Sequence, residues 1–573
     1  MMDNENGWFQ LESQTPVKEL KANRQNASPD RNSYQQKQHR QSAAPKEDSI
    51  SRRYAQGSYD DYASPCPAQT DDMPEPASNR PVNSNERTSA SAYGDYPDAY
   101  HTRTRMTDAN DMPEAMPWSE DGMADTTLSW EKDHHLHTKH SQTVGPRGPV
   151  LEQDSTLHEA LEIFTHTKIL ERPLHVKGFG AFGTFQTMYS MRDYTKLKFL
   201  QVPGQQVPAM VRFSLAAGNK GTPDTSRNVR GFSVKFYTNE GIFDLLCNHI
   251  PVLFVRDGVK FPQAIAALSP SPVNNLTNPD RFWRFFATAP ETTHFVTWLY
   301  SDVGTIKSFR HIKGFGVNTF VWRNAQGERR YVKYHWIPLA GEEYISRQEA
   351  VALACKNPDI AGQDLFDTIA SGRPVQYELH VQLMDPCDED YLPFDPLDCT
   401  KTWSEEQYPL IPVGRLTLNR NPVDYMEQIE KVAFSPANLL DGAELSDDKL
   451  LQARANIYWD SQRHRLGKNF RDIPVNAQKN WTPDDLVTSG TDTYAGGQLV
   501  RSQIPKTDNF TQAGQRYMSL SPEQKNSLID NLAAELVHVS EGLRRTALKY
   551  FYSASADFAQ RLASRIADYA RSK

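Results

Sequence analysis

Residues 230–238 read RGFSVKFYT, and this stretch decides the class of the fold. Phe232, Val234 and Phe236 alternate with Ser233, Lys235 and Tyr237, which is the two-residue period of a strand with one apolar and one polar face. Residues 374–385, PVQYELHVQLMD, repeat the pattern, setting Val375, Tyr377, Leu379, Val381 and Leu383 against polar partners. Both read as half-buried strands of an antiparallel sheet or barrel. Helices interrupt the strands. SRQEAVALACKNP (346–358) opens with a Ser346-x-x-Glu349 capping box; SPEQKNSLIDNLAAELVHV (521–539) opens with Ser521, places Pro522 at the first helical position and completes the box with Gln524. With no internal repeat and no long linker after residue 145, the chain beyond that point reads as one large α+β unit.

The first part of the chain is different in kind. The 573 residues are only 38% hydrophobic, and the polarity is concentrated between about residues 12 and 125, where Ser, Asn, Gln, Asp, Pro and Arg dominate and Ile, Leu and Val are scarce. Such a segment buries too little apolar surface to offset its ordering entropy. The expected organisation is therefore a disordered extension over residues 1–133, a core over 134–510 and a helical region over 511–573. The boundary stretch HHLHTKH (His134, His135, His137, His140) has no cysteine and no defined helical spacing and reads as a polar boundary rather than a metal site. Five scattered cysteines without a C-x-x-C pair suggest free thiols in a reducing compartment. The formal net charge of -8 argues against nucleic acid as a partner. No run approaches the ~20 apolar residues of a membrane span, and the start lacks a secretory pattern. Cytoplasm is the expected location, since the ending YARSK lacks a peroxisomal S-K-L.

Four segments carry candidate chemistry. ERPLHVKGFGAFGTF (171–185) contains Arg172, His175 and a glycine-punctuated run without the Lys and Ser/Thr of a phosphate loop. VRFSLAAG (211–218) holds Arg212 and Ser214, and DLLCNHIPVLFVRDGVKFP (244–262) sets Asn248 amid apolar residues. In ARANIYWDSQRHRLG (453–467), Arg454, Tyr458 and Arg465 fall at steps of four and seven, so on a helix they share one face. Singly these are a core histidine, a strand end and a solvated basic face. Together they supply an imidazole, an amide, guanidiniums suited to carboxylates and a phenol beside a cation, which favours a phenolate.

Taken in order, residues 141–573 resemble the haem catalases. The resemblance rests on ERPLHVKGFGAFGTF, VRFS, RGFSVKFYT, CNHIPVLFVRD, KFPQ, RHIKGFGVNTF, PVGRLTLNRNPVDY, AFSPANL, and R-x-x-x-Y followed by QRHRLG. It implies an eight-stranded antiparallel β-barrel with a wrapping segment and C-terminal helices, haem b, a homotetramer, and disproportionation of hydrogen peroxide to water and oxygen through a ferryl intermediate. The chain reads as ending after two helices, which places it with the small-subunit members. By resemblance His175 is the distal acid/base, Ser214 bonds its other nitrogen, Asn248 orients peroxide and Tyr458 is the iron ligand; tyrosine is the generic haem ligand of catalases. Arg454 is held by His311 and Asp448, Arg172, Arg212 and Arg465 clamp the propionates, and Phe261 packs beside the haem.

Some positions depart from the family pattern. Ala216, Asn228 and Ala264 stand where valine, aspartate and phenylalanine are usual along the substrate channel, so a peroxidase acting on larger peroxides or organic donors is the alternative activity. At the surface nucleotide site His294 and Ser301 are kept, whereas Val303, Ile337 and Glu405 replace cations, and NADPH is not expected. Asn456 replaces a phenylalanine near the ligand. An allene oxide synthase-like enzyme is disfavoured because Leu174 precedes His175 where those enzymes carry threonine. A non-enzymatic haem-binding protein would not need His175, Asn248 and Tyr458 together.

Overall fold

The computed structural model describes residues 140–166, 168–477 and 499–572; the N-terminal extension expected over 1–133 lies outside them. Ten strands form one antiparallel sheet: β1 Gly178–Thr187, β2 Gln206–Leu215, β3 Arg230–Thr238, β4 Gly241–Asn248, β5 Gly314–Phe315, β6 Phe320–Arg323, β7 Arg329–Pro338, β8 Val375–Met384, β9 Ile411–Arg420 and β10 Ala443–Leu445. Their order is β10-β6-β7-β5-β4-β3-β2-β1-β9-β8, and β8 also pairs with β7. That extra pairing closes β1–β5 and β7–β9 into a barrel of eight strands, with β6 and β10 as a flap on β7. Closure removes the exposed sheet edges. Register shifts at Phe182/Gly183 and Leu379/His380, both against β9, provide the local bends.

The apolar faces read from the alternation point into the barrel and fill it. Phe213 and Phe232 lie 4.8 Å apart, Phe232 and Tyr377 4.8 Å, and Phe232 and Trp336 5.8 Å, and Val234, Phe236, Leu379 and Val381 belong to the same core. The expected polar outer face is not solvent-exposed throughout. Lys235 is buried and bonds Asp244 at 2.8 Å, because residues 426–445 wrap over β3 and β4. Asp244 also accepts from Ser435 N at 3.0 Å and Asn438 Nδ2 at 2.8 Å. On β8, likewise, Gln382 and Met384 are buried on the face opposite Leu383.

The C-terminal region contains four helices rather than two: Thr511–Ser519, Pro522–Leu536, Glu541–Ala554 and Ala556–Arg571. Ser555 alone separates the last two helices and is neither proline nor glycine, which is why the sequence under-counts them. Leu528, Leu532, Phe551, Phe558 and Leu562 form a second core with Trp283 and Phe286, and Trp283 Nε1 donates to Glu535 at 2.7 Å. The Ser521–Gln524 capping box closes from both sides. At Ser346 only half forms, with Glu349 N donating to the serine hydroxyl.

Several histidines are locked neutral inside this fold. Arg230 N donates to His249 Nδ1 at 2.9 Å, so Nε2 carries the proton toward Val303 O, 2.9 Å away. Trp298 Nε1 donates to His294 Nε2 at 3.2 Å, and His294 Nδ1 faces Thr400 O at 2.9 Å. A second ring proton would break one bond in each case. Burial is the first cause that pushes His249, His294, His335 and the site residue His175 down to about 3. Between that value and the ordinary 6.5 the unfolded chain binds more protons than the folded one. Stability contributed by these groups is therefore full above pH 6.5 and falls with acidification, by about 2 kcal/mol per histidine at pH 5. Asp448, held up to about 6 mainly by burial, works the other way and returns about 1 kcal/mol at that pH. Calorimetry is expected to show a lower melting temperature at pH 5 than at pH 7, and little change from pH 7 to 8.

Candidate active site

Three neighbouring strands lay out one wall of the site. Cross-strand pairing sets Ser214 of β2 opposite Gly231 of β3, and Gly231 opposite Asn248 of β4, so the register alone puts a hydroxyl and an amide in one row. Gly178 of β1 also pairs with Ser214, which brings His175, three residues earlier, to the same row. His175 has φ 60, a costly conformation for a non-glycine residue that persists only where its surroundings hold it. Its backbone N–H donates to Ala216 O at 3.1 Å, and its Nδ1 lies 3.0 Å from Ser214 Oγ. The side chain of Asn248 is half-buried.

Gly231 is what lets these groups meet. A Cβ at that position would lie 2.5 Å from Ser214 Oγ and 2.7 Å from His175 Nδ1. Gly231→Ala is expected to displace the imidazole and lower peroxide turnover by about 100-fold, with cofactor content retained; steady-state kinetics alongside absorbance of the purified variant checks both.

Burial, then Arg212, Arg454 and Arg172, push His175 down to about 3. The ring is thus neutral at neutral pH. With Nδ1–H donated to Ser214, Nε2 presents a lone pair able to accept a proton.

The arginines converge on the wrapping segment. Arg172 Nη2 donates to Glu430 O at 2.7 Å and Val432 O at 3.0 Å, and Arg465 donates to the same carbonyls at 2.7 and 3.0 Å. These acceptors lie at and just beyond the end of the π-turn Met426–Glu430, where carbonyls lack partners within the helix. Arg212 donates to Val176 O at 3.2 Å. One buried carboxylate, Glu430, lies 3.3 Å from Arg172. Burial first, and then Arg172, hold Arg212 and Arg465 down to about 9, and Arg212 Nε and Arg465 Nε are buried without a hydrogen-bond partner. Three guanidiniums around one carboxylate leave surplus positive charge and spare donors. That arrangement fits the two carboxylates of a haem.

Arg465 belongs to the helix Lys449–Leu466, which is capped by Asp448, whose Oδ1 accepts from Leu450 N and Leu451 N. Arg454 Nη2 donates to Tyr458 Oη at 2.8 Å, one helical turn along. Tyr458 packs against the apolar cluster of Phe182, Met210, Leu246, Ile429 and Phe434. Arg454 acts on His175 as well, so the imidazole and phenol sides share one electrostatic environment.

His311 does not hold Arg454. It lies on the short turn Phe309–His311 with Nδ1 3.0 Å from Gly341 O and Nε2 3.8 Å from Glu343. Asn318 takes that place: Arg454 Nη1 donates to Asn318 Oδ1 at 2.6 Å, and Asn318 Nδ2 donates to Asp448 Oδ2 at 2.6 Å. Asp448 was expected to hold Arg454 directly and instead reaches it through Asn318. Phe261 stacks on Phe254 at 5.5 Å, beside Leu253, Val255 and Ala264, and its ring partner is not one of the candidates. Asn228 closes its amide on the backbone of Ala217, accepting at 3.1 Å and donating at 2.9 Å. Among the described residues no cluster of three His, Cys, Asp or Glu forms a metal site; His134, His135 and His137 lie outside them.

Comparison with known proteins now bears on this geometry. The catalase family model matches residues 131–504, and a model described as catalase-related immune-responsive matches 503–566. The chain belongs to the catalase family. It is 39% identical to Catalase-2 of Arabidopsis thaliana and 40% identical to catalase isozyme 1 of Solanum lycopersicum, each over 456 residues, covering 74% of this chain and 93% of the relative. A bacterial catalase structure superposes with a TM-score of 0.71 at 36% identity, covering 75% of this chain and 93% of that one. A fungal catalase gives 0.71 at 31% identity, with 75% and 94% covered. The protein is accordingly a hydrogen-peroxide oxidoreductase with catalase activity, and membership implies a haem cofactor.

Sequence reasoning missed Gly231, Glu430 and Asn318. Gly231 had a signal in the glycine at the start of an otherwise bulky strand, since a glycine there often marks close approach. Asn318 had none beyond its place after GFGV, because its role depends on a turn visible only in three dimensions.

Proposed function

We propose that this catalase uses His175, Ser214 and Asn248 to handle peroxide and Tyr458 to ligate the iron of haem b. The observation that carries this reading is the row of His175, Ser214 and Asn248 beside Gly231, with Arg454 acting on both His175 and Tyr458. Bound haem supplies the redox chemistry. His175 accepts a proton from one peroxide oxygen at Nε2 and returns it to the other, while Ser214 fixes the ring through Nδ1. The Asn248 amide donates to the peroxide. Arg454 places positive charge on the oxygen that meets the iron, and Arg172, Arg212 and Arg465 hold the propionates. Because His175 sits so low, its role as base survives acidification, and kcat/KM for peroxide is expected to stay flat from pH 8 to about pH 5. A pH–rate profile over that window checks this.

The finer parts of the reading have separate supports. The homotetramer that family membership suggests is tested by light scattering for four times the 65.1 kDa chain mass. His294 has both ring nitrogens engaged and Arg516 covers Trp298 at 3.9 Å, which supports the absence of bound NADPH; nucleotide analysis of the denatured protein tests it. Among the described residues Cys247, Cys387 and Cys399 are free thiols, in keeping with the cytoplasm. The neutral, self-satisfied Asn228 supports a secondary activity on larger peroxides, read with an alkyl hydroperoxide as substrate. A pyridine haemochrome spectrum tests haem b.

A further inference from the structure

His249 directly follows Asn248 and is buried. Asn248 is the last residue of β4, so where its amide points depends on how the chain leaves the strand. One side of a further rung still forms, with His249 N donating to Arg230 O at 2.9 Å. In an antiparallel ladder that ran on, Arg230 N would return the bond to the His249 carbonyl. Here Arg230 N donates to His249 Nδ1 instead, at 2.9 Å. The imidazole stands in for a backbone carbonyl. Arg230, the first residue of β3, keeps a partner for its N–H while the other chain is free to turn out of the sheet toward Pro251.

The second ring nitrogen fastens this corner to a separate element. His249 Nε2 donates to Val303 O at 2.9 Å, in the 3₁₀ turn Asp302–Gly304. Neither bond can be reversed, because a backbone N–H only donates and a carbonyl only accepts, and the two partners fix one tautomer. The turn is itself tied to the start of β3, since Gly304 O accepts from Asn228 N and from Arg230 Nη1, each at 3.0 Å. Arg230 Nη2 in turn donates to Asp224 O at 2.8 Å and Ser226 O at 2.6 Å. A closed ring of contacts through His249, Arg230, Gly304 and Val303 holds the chain one residue past Asn248. On the neighbouring rung Gly231 pairs with Asn248 and leaves room for Ser214 and His175.

We infer that His249 is a positioning residue for peroxide turnover: its ring ends β4 at Asn248 and holds the chain between Arg230 and Val303, which aims the Asn248 amide at the peroxide. The inference rests on Asn248 donating to the peroxide. It gives His249 a part in the geometry of the site beyond its part in stability.

Substitutions in the full-length, haem-loaded protein separate the two bonds. His249→Leu removes both. His249→Asn offers an acceptor where Nδ1 stands and keeps the bond from Arg230, whereas His249→Gln offers a donor where Nε2 stands and keeps only the bond to Val303. The readouts are kcat/KM for hydrogen peroxide and the N–O stretching frequency of nitric oxide bound at the haem iron, which responds to a hydrogen bond on the ligand and not to a lower melting temperature. His249→Leu and His249→Gln are expected to lower kcat/KM about 10- to 100-fold, the cost of a small displacement of a positioned group, and to move the stretch in the same direction as Asn248→Leu. His249→Asn is expected to keep both close to wild type. Wild-type turnover and stretch in His249→Leu or His249→Gln, with only a lower melting temperature, would overturn the inference. If His249→Leu does not fold, the glutamine–asparagine pair decides in the same way. A stretch that Asn248→Leu itself leaves unmoved overturns the role of Asn248, and the inference about His249 with it.

Discussion

His175→Ala is expected to retain haem and lose oxygen release from hydrogen peroxide by a factor of about 10²–10⁴, the range for a positioned acid/base group. The imidazole makes one side-chain bond, to Ser214, and its removal leaves the arginines and Tyr458 in place. Alanine keeps a Cβ at the same positive φ, so the substitution relieves no backbone strain. A variant with full haem, an unchanged melting temperature and full turnover would show that His175 moves no proton in the reaction. Ser214→Ala is the graded version, since it frees the ring without removing it.

Tyr458→Phe is expected to act through the other side of the haem, with purified protein carrying little haem or a changed absorption spectrum. The phenylalanine keeps the ring against Phe182, Met210 and Leu246 and deletes only the oxygen that Arg454 contacts at 2.8 Å. Folding should therefore survive while iron ligation is lost. Normal haem content with the spectrum of the wild-type protein contradicts Tyr458 as ligand.

His175 and Tyr458 were readable in the sequence as candidates because each stands in a recognisable segment, ERPLHVKG and ARANIYW, and the fold sets Ser214 beside the one and Arg454 beside the other. The strands were legible as well. Phe232, Val234 and Phe236 alternate because one face of β3 fills the barrel, and period two survives whatever covers the other face. What covers that face was not legible. Lys235 has the composition of a surface residue and is buried only because Asp244, Ser435 and Asn438 come together from distant parts of the chain. The assignment of His311 failed for the same reason. RHIKGFGVN offers both a histidine and an asparagine, residue type favoured the histidine, and the strained turn at Val317 selects the asparagine instead.

The most direct test of the account is the stoichiometry of oxygen release by the haem-loaded protein in an oxygen electrode, with hydrogen peroxide consumption followed in parallel and no organic donor present. One oxygen molecule is expected for every two peroxides consumed, at a rate lowered by about 10²–10⁴-fold in His175→Ala. Haem binding with peroxide consumed only when an organic donor is added, and no oxygen evolved, would contradict it.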